Sequence, residues 1–462
     1  MHLWENRIER SRGPLYLAIA DAIESAIGAR ELCPGDRLPP HRELAVILKI
    51  DPTTVTRGYA EARRRGMIDA AAGRGSFVRG GVWTTDFSGE LSSVVDLSMN
   101  LPPLPVDPSL RDMLREGLDG LLSQADLANL MTYHVGAGSP RDRDAGATWL
   151  RPLLGDIDPA RVLVCAGAQC GFTALLTLLT KPGDTLLTGA LTYPRFRAAA
   201  TQFGVRVVPV AMDHDGFVPK ELDAACRAFS PKAIYGIPTI HNPTTMTMSA
   251  ERRQAIAEVV LRHRVPLIED DAYGKLPSHP HPAIATMVPE LTYYIGTLSK
   301  CLTPGLRIAY LVAPGKPQAE RLEAAIRATS LMPSPLMSAL VSGWIHQGAA
   351  DALCQGVRAA IVARQAIARE LLPAGSFAAD PEGPHLWLTL PPSWHRVAFI
   401  AYVRGMGLAL SPSDSFTVAE TPPNAVRIGL GAAESDARVR SALASIATVL
   451  RSETPEELRE TV

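Results

Sequence analysis

The stretch Gly296-Thr297-Leu298-Ser299-Lys300-Cys301-Leu302-Thr303-Pro304-Gly305-Leu306-Arg307 follows the apolar run Thr292-Tyr293-Tyr294-Ile295. It sets one lysine among small hydroxyl residues, with a Pro-Gly turn and an arginine seven positions later. A lysine so placed is a nucleophile for an aldehyde, while hydroxyls and an arginine suit a phosphate. Upstream, Ile268-Glu269-Asp270-Asp271-Ala272-Tyr273 offers an acid and a phenol behind another apolar run. The same alternation extends outward. Val162-Leu163-Val164 precedes a helix predicted over 169–180, and Asp184-Thr185-Leu186-Leu187 precedes one near 194–203. Val205-Arg206-Val207-Val208, Ala233-Ile234-Tyr235-Gly236 and Pro266-Leu267-Ile268 continue it. Short β-branched runs between longer helices predict a largely parallel sheet sandwiched by helices. Sites in such sheets collect at the carboxyl ends of strands. Ala168, Tyr193, Asn242, Asp270 and Lys300 each follow one of these runs.

At 462 residues the chain is too long for one ordinary core, so two or three domains are expected. A hydrophobic content of 47% with 20% charged residues describes a packed chain and excludes a disordered one. No run of eighteen apolar residues occurs, which predicts no membrane span. Met1-His2-Leu3-Trp4-Glu5-Asn6-Arg7 lacks the basic-then-apolar pattern of a secretory signal. Cys33, Cys165, Cys170, Cys226, Cys301 and Cys354 show no C-x-x-C spacing. That pattern predicts neither a metal site nor a disulfide framework, and it fits a reducing cytoplasm.

The first eighty residues differ from the rest. They carry thirteen Arg or Lys against ten Asp or Glu, within a chain of net charge −1. Leu15, Ile19, Ile23 and Ile27 predict an amphipathic helix over 14–30. After Pro39-Pro40, a second helix starts at His41-Arg42-Glu43-Leu44; a third opens at Thr53-Thr54-Val55-Thr56-Arg57 behind Asp51-Pro52. Ala72-Gly73-Arg74-Gly75-Ser76-Phe77-Val78 reads as a hairpin tip entering a strand. Helix, helix, turn, helix and hairpin predict a winged helix-turn-helix over 1–80. Residues 81–95, with Gly81, Ser88-Gly89 and Ser92-Ser93, read as a linker, and 96–455 as the α/β domain.

Pyridoxal 5'-phosphate chemistry needs a lysine for the Schiff base, an acid on the pyridine nitrogen, phosphate donors and a ring to stack on the cofactor. Lys300, Asp270, the set Thr297, Ser299 and Arg307, and Tyr193 supply these in turn. Gly167-Ala168-Gln169 stands at a helix start, where N–H groups favour an anion. Asn242, in His241-Asn242-Pro243, and Tyr273 suit the phenolic oxygen. In this order and over roughly 96–450, these residues resemble the fold-type I, aspartate aminotransferase-like enzymes. The resemblance implies a mostly parallel sheet with a smaller α+β domain. It further implies that Arg427, in Ala425-Val426-Arg427-Ile428, grips a substrate carboxylate, and that Tyr133 reaches the phosphate of a second subunit in a homodimer.

Gly35-Asp36-Arg37-Leu38-Pro39-Pro40-His41-Arg42-Glu43 and Gly73–Val78 are similar to the GntR-type winged helix. The fusion resembles the MocR-type subfamily of GntR transcriptional regulators, and this implies a double-stranded DNA operator. Arg42, Thr53, Thr54, Thr56, Arg57, Arg74 and Gly75 are the expected DNA contacts. Two departures stand out: Asp51-Pro52 replaces the Ser-Arg usual before the threonines, and Cys170 replaces a polar residue after Gln169. Simpler readings also exist. The Glu269-Asp270-Asp271 triplet also reads as a solvated charge run, Arg427 as a water-facing edge residue, and the threonines as helix caps. Arg63-Arg64-Arg65 reads as a solvated face attracting phosphates nonspecifically. Cys301 reads as packing.

The expected function is a PLP-dependent DNA-binding regulator. Its aminotransferase-like domain would hold the cofactor on Lys300 as an aldimine and sense it or a carboxylate-bearing amino effector, with at most residual transamination. The alternative is a working aminotransferase acting on an amino acid and a 2-oxo acid, with Lys300 as general base. A third reading has Asp51-Pro52 abolishing DNA binding.

Overall fold

The computed structural model describes residues 14–28, 32, 36–65, 67–71, 75–78, 94–124, 127–134 and 136–452. The chain divides into two compact units, Met1–Ser92 and Ser93–Val462. Each is built around its own core.

In the first unit, helices Leu15–Gly28, His41–Leu48 and Pro52–Arg64 precede the antiparallel ribbon Ile68–Ala71 with Gly75–Val78. The second helix ends on Lys49 in the left-handed region (φ 53), and only three residues separate it from the third. Asp51 caps that third helix, its carboxylate accepting from the Thr53 N–H at 2.8 Å, while Pro52 occupies the first turn. Ile19, Ile23, Leu44, Leu48, Val55 and Tyr59 close the core. Gly58 lets the first and third helices touch: a Cβ there would sit 2.8 Å from Ile19.

The second unit is centred on a seven-stranded sheet. Its spatial order is Val162–Cys165, Ala309–Val312, Thr292–Thr297, Leu267–Asp270, Ala233–Gly236, Thr185–Gly189, Arg206–Val210. All run parallel except Ala309–Val312, which is antiparallel to both neighbours. That strand falls outside the alternation seen in the sequence. It follows the stretch around Lys300 directly, because Arg307 adopts φ 54 and turns the chain back on itself. Helices such as Ala168–Leu179 and Lys316–Ser330 pack on the sheet through Phe172, Leu175, Leu322 and Ile326. A smaller antiparallel sheet, Phe377–Ala378, His385–Thr389, Ala425–Gly429 and Ser411–Pro412, has a separate core around Leu386, Trp394, Phe399 and Ile428. Among the described residues no helix is long and apolar enough to cross a membrane.

Candidate functional site

The large sheet and the smaller one share a cleft of about 270 Å³. Its walls carry Ala168, Gln169, Tyr193, Asn242, Asp270, Tyr273, Thr297, Ser299, Lys300, Arg307 and Arg427, together with Ser98, Asn100 and Arg195.

Asp270 ends the strand Leu267–Asp270, with parallel partners on both sides, which buries it. The three consecutive acids are not a solvated run. Glu269 accepts from the N–H groups of Ile284 and Ala285 at 2.9 and 2.8 Å, and Asp271 accepts from the Tyr294 hydroxyl at 2.8 Å. Asp270 accepts from the Tyr235 hydroxyl at 2.5 Å through Oδ2, while Oδ1 is buried with no partner among the described residues. Burial pushes its carboxyl up to about 7 against the opposing pull of the Tyr235 bond and Lys300. Tyr235 is itself held by stacking on Phe196, 3.6 Å between ring centres.

Lys300 lies just beyond the strand Thr292–Thr297, whose last residue bonds forward to Ser299 at 3.0 Å. The Lys300 ammonium donates to the backbone oxygen of Asn100. Burial, and then the Arg427 charge, bring its pKa down to about 8. Arg307 approaches the start of the helix Ala168–Leu179, donating to the Ala166 carbonyl at 3.3 Å. Gly167 caps that helix at φ 82 with no side-chain bond, and a Cβ there would meet the Arg307 guanidinium at 2.6 Å. Two positive features, a helix N-terminus and a guanidinium, thus face one corner of the cleft.

Arg427 is 7% exposed in a strand paired on both sides, so it is not a water-facing edge residue. It donates to Asn242 Oδ1 at 2.8 Å and to the Ser98 carbonyl at 2.5 Å, and it lies 4.9 Å over the Phe416 ring. Its Nε is buried with no partner among the described residues.

Residues 92–446 match the family model for aminotransferase class I and II. The chain belongs to that family. Residues 15–78 match the bacterial regulatory proteins of the gntR family, and the two domains in this order make the chain a MocR-type member of the GntR regulators. It is 28% identical to the uncharacterized HTH-type transcriptional regulator YdeF of Bacillus subtilis, over 92% of each chain. It is also 28% identical to the vitamin B6 salvage pathway transcriptional repressor PtsJ of Salmonella typhimurium, covering 89% of this chain and 93% of that one. The fold is similar to that of LysN, the alpha-aminoadipate aminotransferase of Thermus thermophilus. That TM-score is 0.71 at 20% identity, covering 87% of this chain and all of the other.

Within the aminotransferase-like domain the cleft brings together every expected cofactor residue except Tyr133, which is 82% exposed and lies outside it. Cys170 leaves the helix start intact. Its thiol bonds to Ser330 at 3.0 Å and to Cys165, which draws it down to about 6. In the GntR domain, Arg42 and Arg57 are exposed, and Arg57 lies 4.4 Å over the Tyr16 ring. Two of the three threonine hydroxyls are engaged internally: Thr53 on Asp51 at 2.5 Å, and Thr56 on the Pro52 carbonyl at 2.9 Å. Gly75 begins the second ribbon strand; Arg74 lies outside the described residues. Sequence reasoning missed Tyr235, which bonds Asp270, Asn100 and Arg195, which line the cleft, and His385, whose Nδ1 lies 3.1 Å from the Asn100 amide nitrogen. A signal existed for Tyr235, since a tyrosine inside an apolar strand needs a partner for its hydroxyl.

Proposed function

We propose that the chain is a PLP-dependent transcriptional regulator. Its GntR domain binds an operator, and its aminotransferase-like cleft senses the cofactor or an amino compound bearing a carboxylate. One observation carries this reading: an acid, an amine and an anion corner converge on one cleft, behind a GntR domain that a free-standing enzyme does not need.

The cleft fits pyridoxal 5'-phosphate. Asp270 Oδ1 is a buried acceptor with no partner among the described residues, suited to a protonated ring nitrogen; a cation there would draw the carboxyl back to its ionised form. The Gly167 cradle, Arg307, Thr297 and Ser299 would hold the phosphate. Asn242 offers its amide N–H to the phenolic oxygen because Arg427 already occupies its Oδ1. When bound, the cofactor supplies an aldehyde carbon for amines and an electron-withdrawing ring. Lys300, with its pKa near 8, exposes an appreciable share of free amine at neutral pH and can take up or release a proton at Nζ. Arg427, already oriented by Asn242 and Ser98, would receive the effector carboxylate on its free Nε. Displacing Lys300 with an effector amine changes contacts at Asn100, and this would bias the DNA-binding arrangement. The name of the Salmonella relative supports the cofactor itself as one sensed compound.

Exposed Arg42 and Arg57, with Arg74, would supply phosphate contacts. Tyr133, exposed in the single chain, would serve the phosphate site of a second subunit. A footprint of the full-length protein on DNA flanking its own gene, with and without cofactor, tests the reading; a protected segment is expected. A working aminotransferase is the second reading, favoured by the lowered pKa of Lys300. Steady turnover of an amino donor and a 2-oxo acid with no protected DNA would establish it instead.

A further inference from the structure

Tyr273 is buried, and its oxygen accepts a hydrogen bond from the Asn100 amide nitrogen at 2.8 Å. The same nitrogen lies 3.1 Å from Nδ1 of His385, and Nε2 of His385 lies 3.3 Å from the His241 carbonyl. Directionality settles who donates. A carbonyl only accepts, so Nε2 of His385 carries the hydrogen. His385 is fully buried and burial holds it well below its ordinary pKa, so the ring is neutral and Nδ1 is a bare acceptor. The group facing Nδ1 must therefore be the Asn100 NH₂, because a reversed amide would set two acceptors 3.1 Å apart. With one N–H spent on His385 and the other on Tyr273, the Tyr273 hydroxyl is an acceptor toward Asn100. Its own hydrogen is left for the cleft.

We propose that Asn100 and His385 are positioning residues that orient the Tyr273 hydroxyl, making it a donor into the cleft. This rests on the cofactor reading above. The chain of bonds ends on the His241 carbonyl, immediately before Asn242, so the two residues assigned to the phenolic oxygen are tied to one backbone anchor. The Lys300 ammonium is bonded to the Asn100 carbonyl, so one residue reads both the amine and the phenol. Among the described residues, the charged and titratable groups facing Tyr273 include Arg427, Asp270, Tyr193, Cys301, Tyr235 and His385, whose ring lies 5.8 Å from that of Tyr273; the bond to the Tyr273 oxygen comes from Asn100.

The test uses full-length protein loaded with pyridoxal 5'-phosphate and follows the pH midpoint of the visible band of the lysine-bound cofactor. A donor on the phenolic oxygen competes with the proton on the neighbouring lysine nitrogen, so losing the donor raises the midpoint. Tyr273→Phe sets the full shift. His385→Leu is expected to raise the midpoint by about one pH unit, tenfold in the proton equilibrium. His385→Gln, which keeps an acceptor and a donor, should restore most of it. In the Tyr273→Phe background, His385→Leu should add nothing, since its effect passes through the hydroxyl. Asn100→Leu keeps the backbone carbonyl, should reproduce the shift, and decides the matter if His385→Leu does not fold. An unchanged midpoint, or an equal shift without the Tyr273 hydroxyl, overturns the inference. Absence of any visible band in the parent protein overturns the cofactor reading instead.

Discussion

Asp270 combines a Tyr235 bond on one oxygen with no partner among the described residues on the other, in a fully buried position. The folded chain holds its proton up to about pH 7, whereas the unfolded chain loses it near 3.8. Between those values the folded state binds more protons, so this group lowers stability as pH rises through that window. Asp270→Asn should therefore stabilise the cofactor-free protein at about pH 8 by up to roughly 3–4 kcal/mol, and make little difference near pH 4. Denaturant unfolding at the two pH values checks this. The same variant should bind pyridoxal 5'-phosphate less tightly, because the acceptor for the ring nitrogen is weakened. Stability and binding thus move in opposite directions at one residue. That Asp270 lines the cleft at a strand end was legible from its place after an apolar run, but its Tyr235 partner was not. That partner sits on a neighbouring strand 35 residues earlier, and only sheet register sets it beside Asp270.

Two helix starts decide how the elements serve the site. At Gly167 the backbone must take φ 82 and leave room for Arg307. Gly167→Ala adds strain of about 1–2 kcal/mol and pushes the guanidinium away from the helix N-terminus. Its expected effect is a loss of cofactor affinity on the order of tenfold, read by equilibrium titration. At Asp51 the departure from the GntR pattern has a structural use, since its carboxylate caps the helix Pro52–Arg64. Bonds from Thr53 hold that carboxylate below its usual range, so it is charged at neutral pH. Asp51→Ser keeps a capping oxygen and removes a negative charge from a surface proposed to meet phosphates. It should bind DNA more tightly at low salt, whereas Asp51→Ala should lower the thermal midpoint. Affinity measured against salt, alongside thermal unfolding, separates the two effects. Helices were the more legible elements: the pattern over 14–30 corresponds to Leu15–Gly28, since period 3.6 is a local property. The strand Ala309–Val312 was not legible. Its direction follows from the left-handed turn at Arg307, which a non-glycine residue does not advertise.

For the whole molecule, the central question is whether Lys300 serves turnover or a ligand response. If the lysine reports a ligand, Lys300→Ala should still protect the operator but no longer respond to cofactor or effector. Footprints of parent and variant, each with and without pyridoxal 5'-phosphate, measure this directly. A variant that responds like the parent would detach the cleft from DNA binding. The GntR domain and the aminotransferase domain fall in two separate compact units, so these footprints read any coupling between them directly.

The chain by itself specified the domain order, the parallel α/β class and the group of residues that suits a phosphate-bearing aldehyde cofactor. Those are short-range facts: hydrophobic periodicity, turn residues, and a lysine, an acid and an arginine each placed after an apolar run. Tertiary structure alone decided how these groups are held. Arg427 meets Asn242 across 185 positions, Asn100 meets Tyr273 across 173, and His385 meets Asn100 across 285. Such pairings leave no local mark, because a buried polar side chain is satisfied by whatever the fold brings within about 3 Å of it.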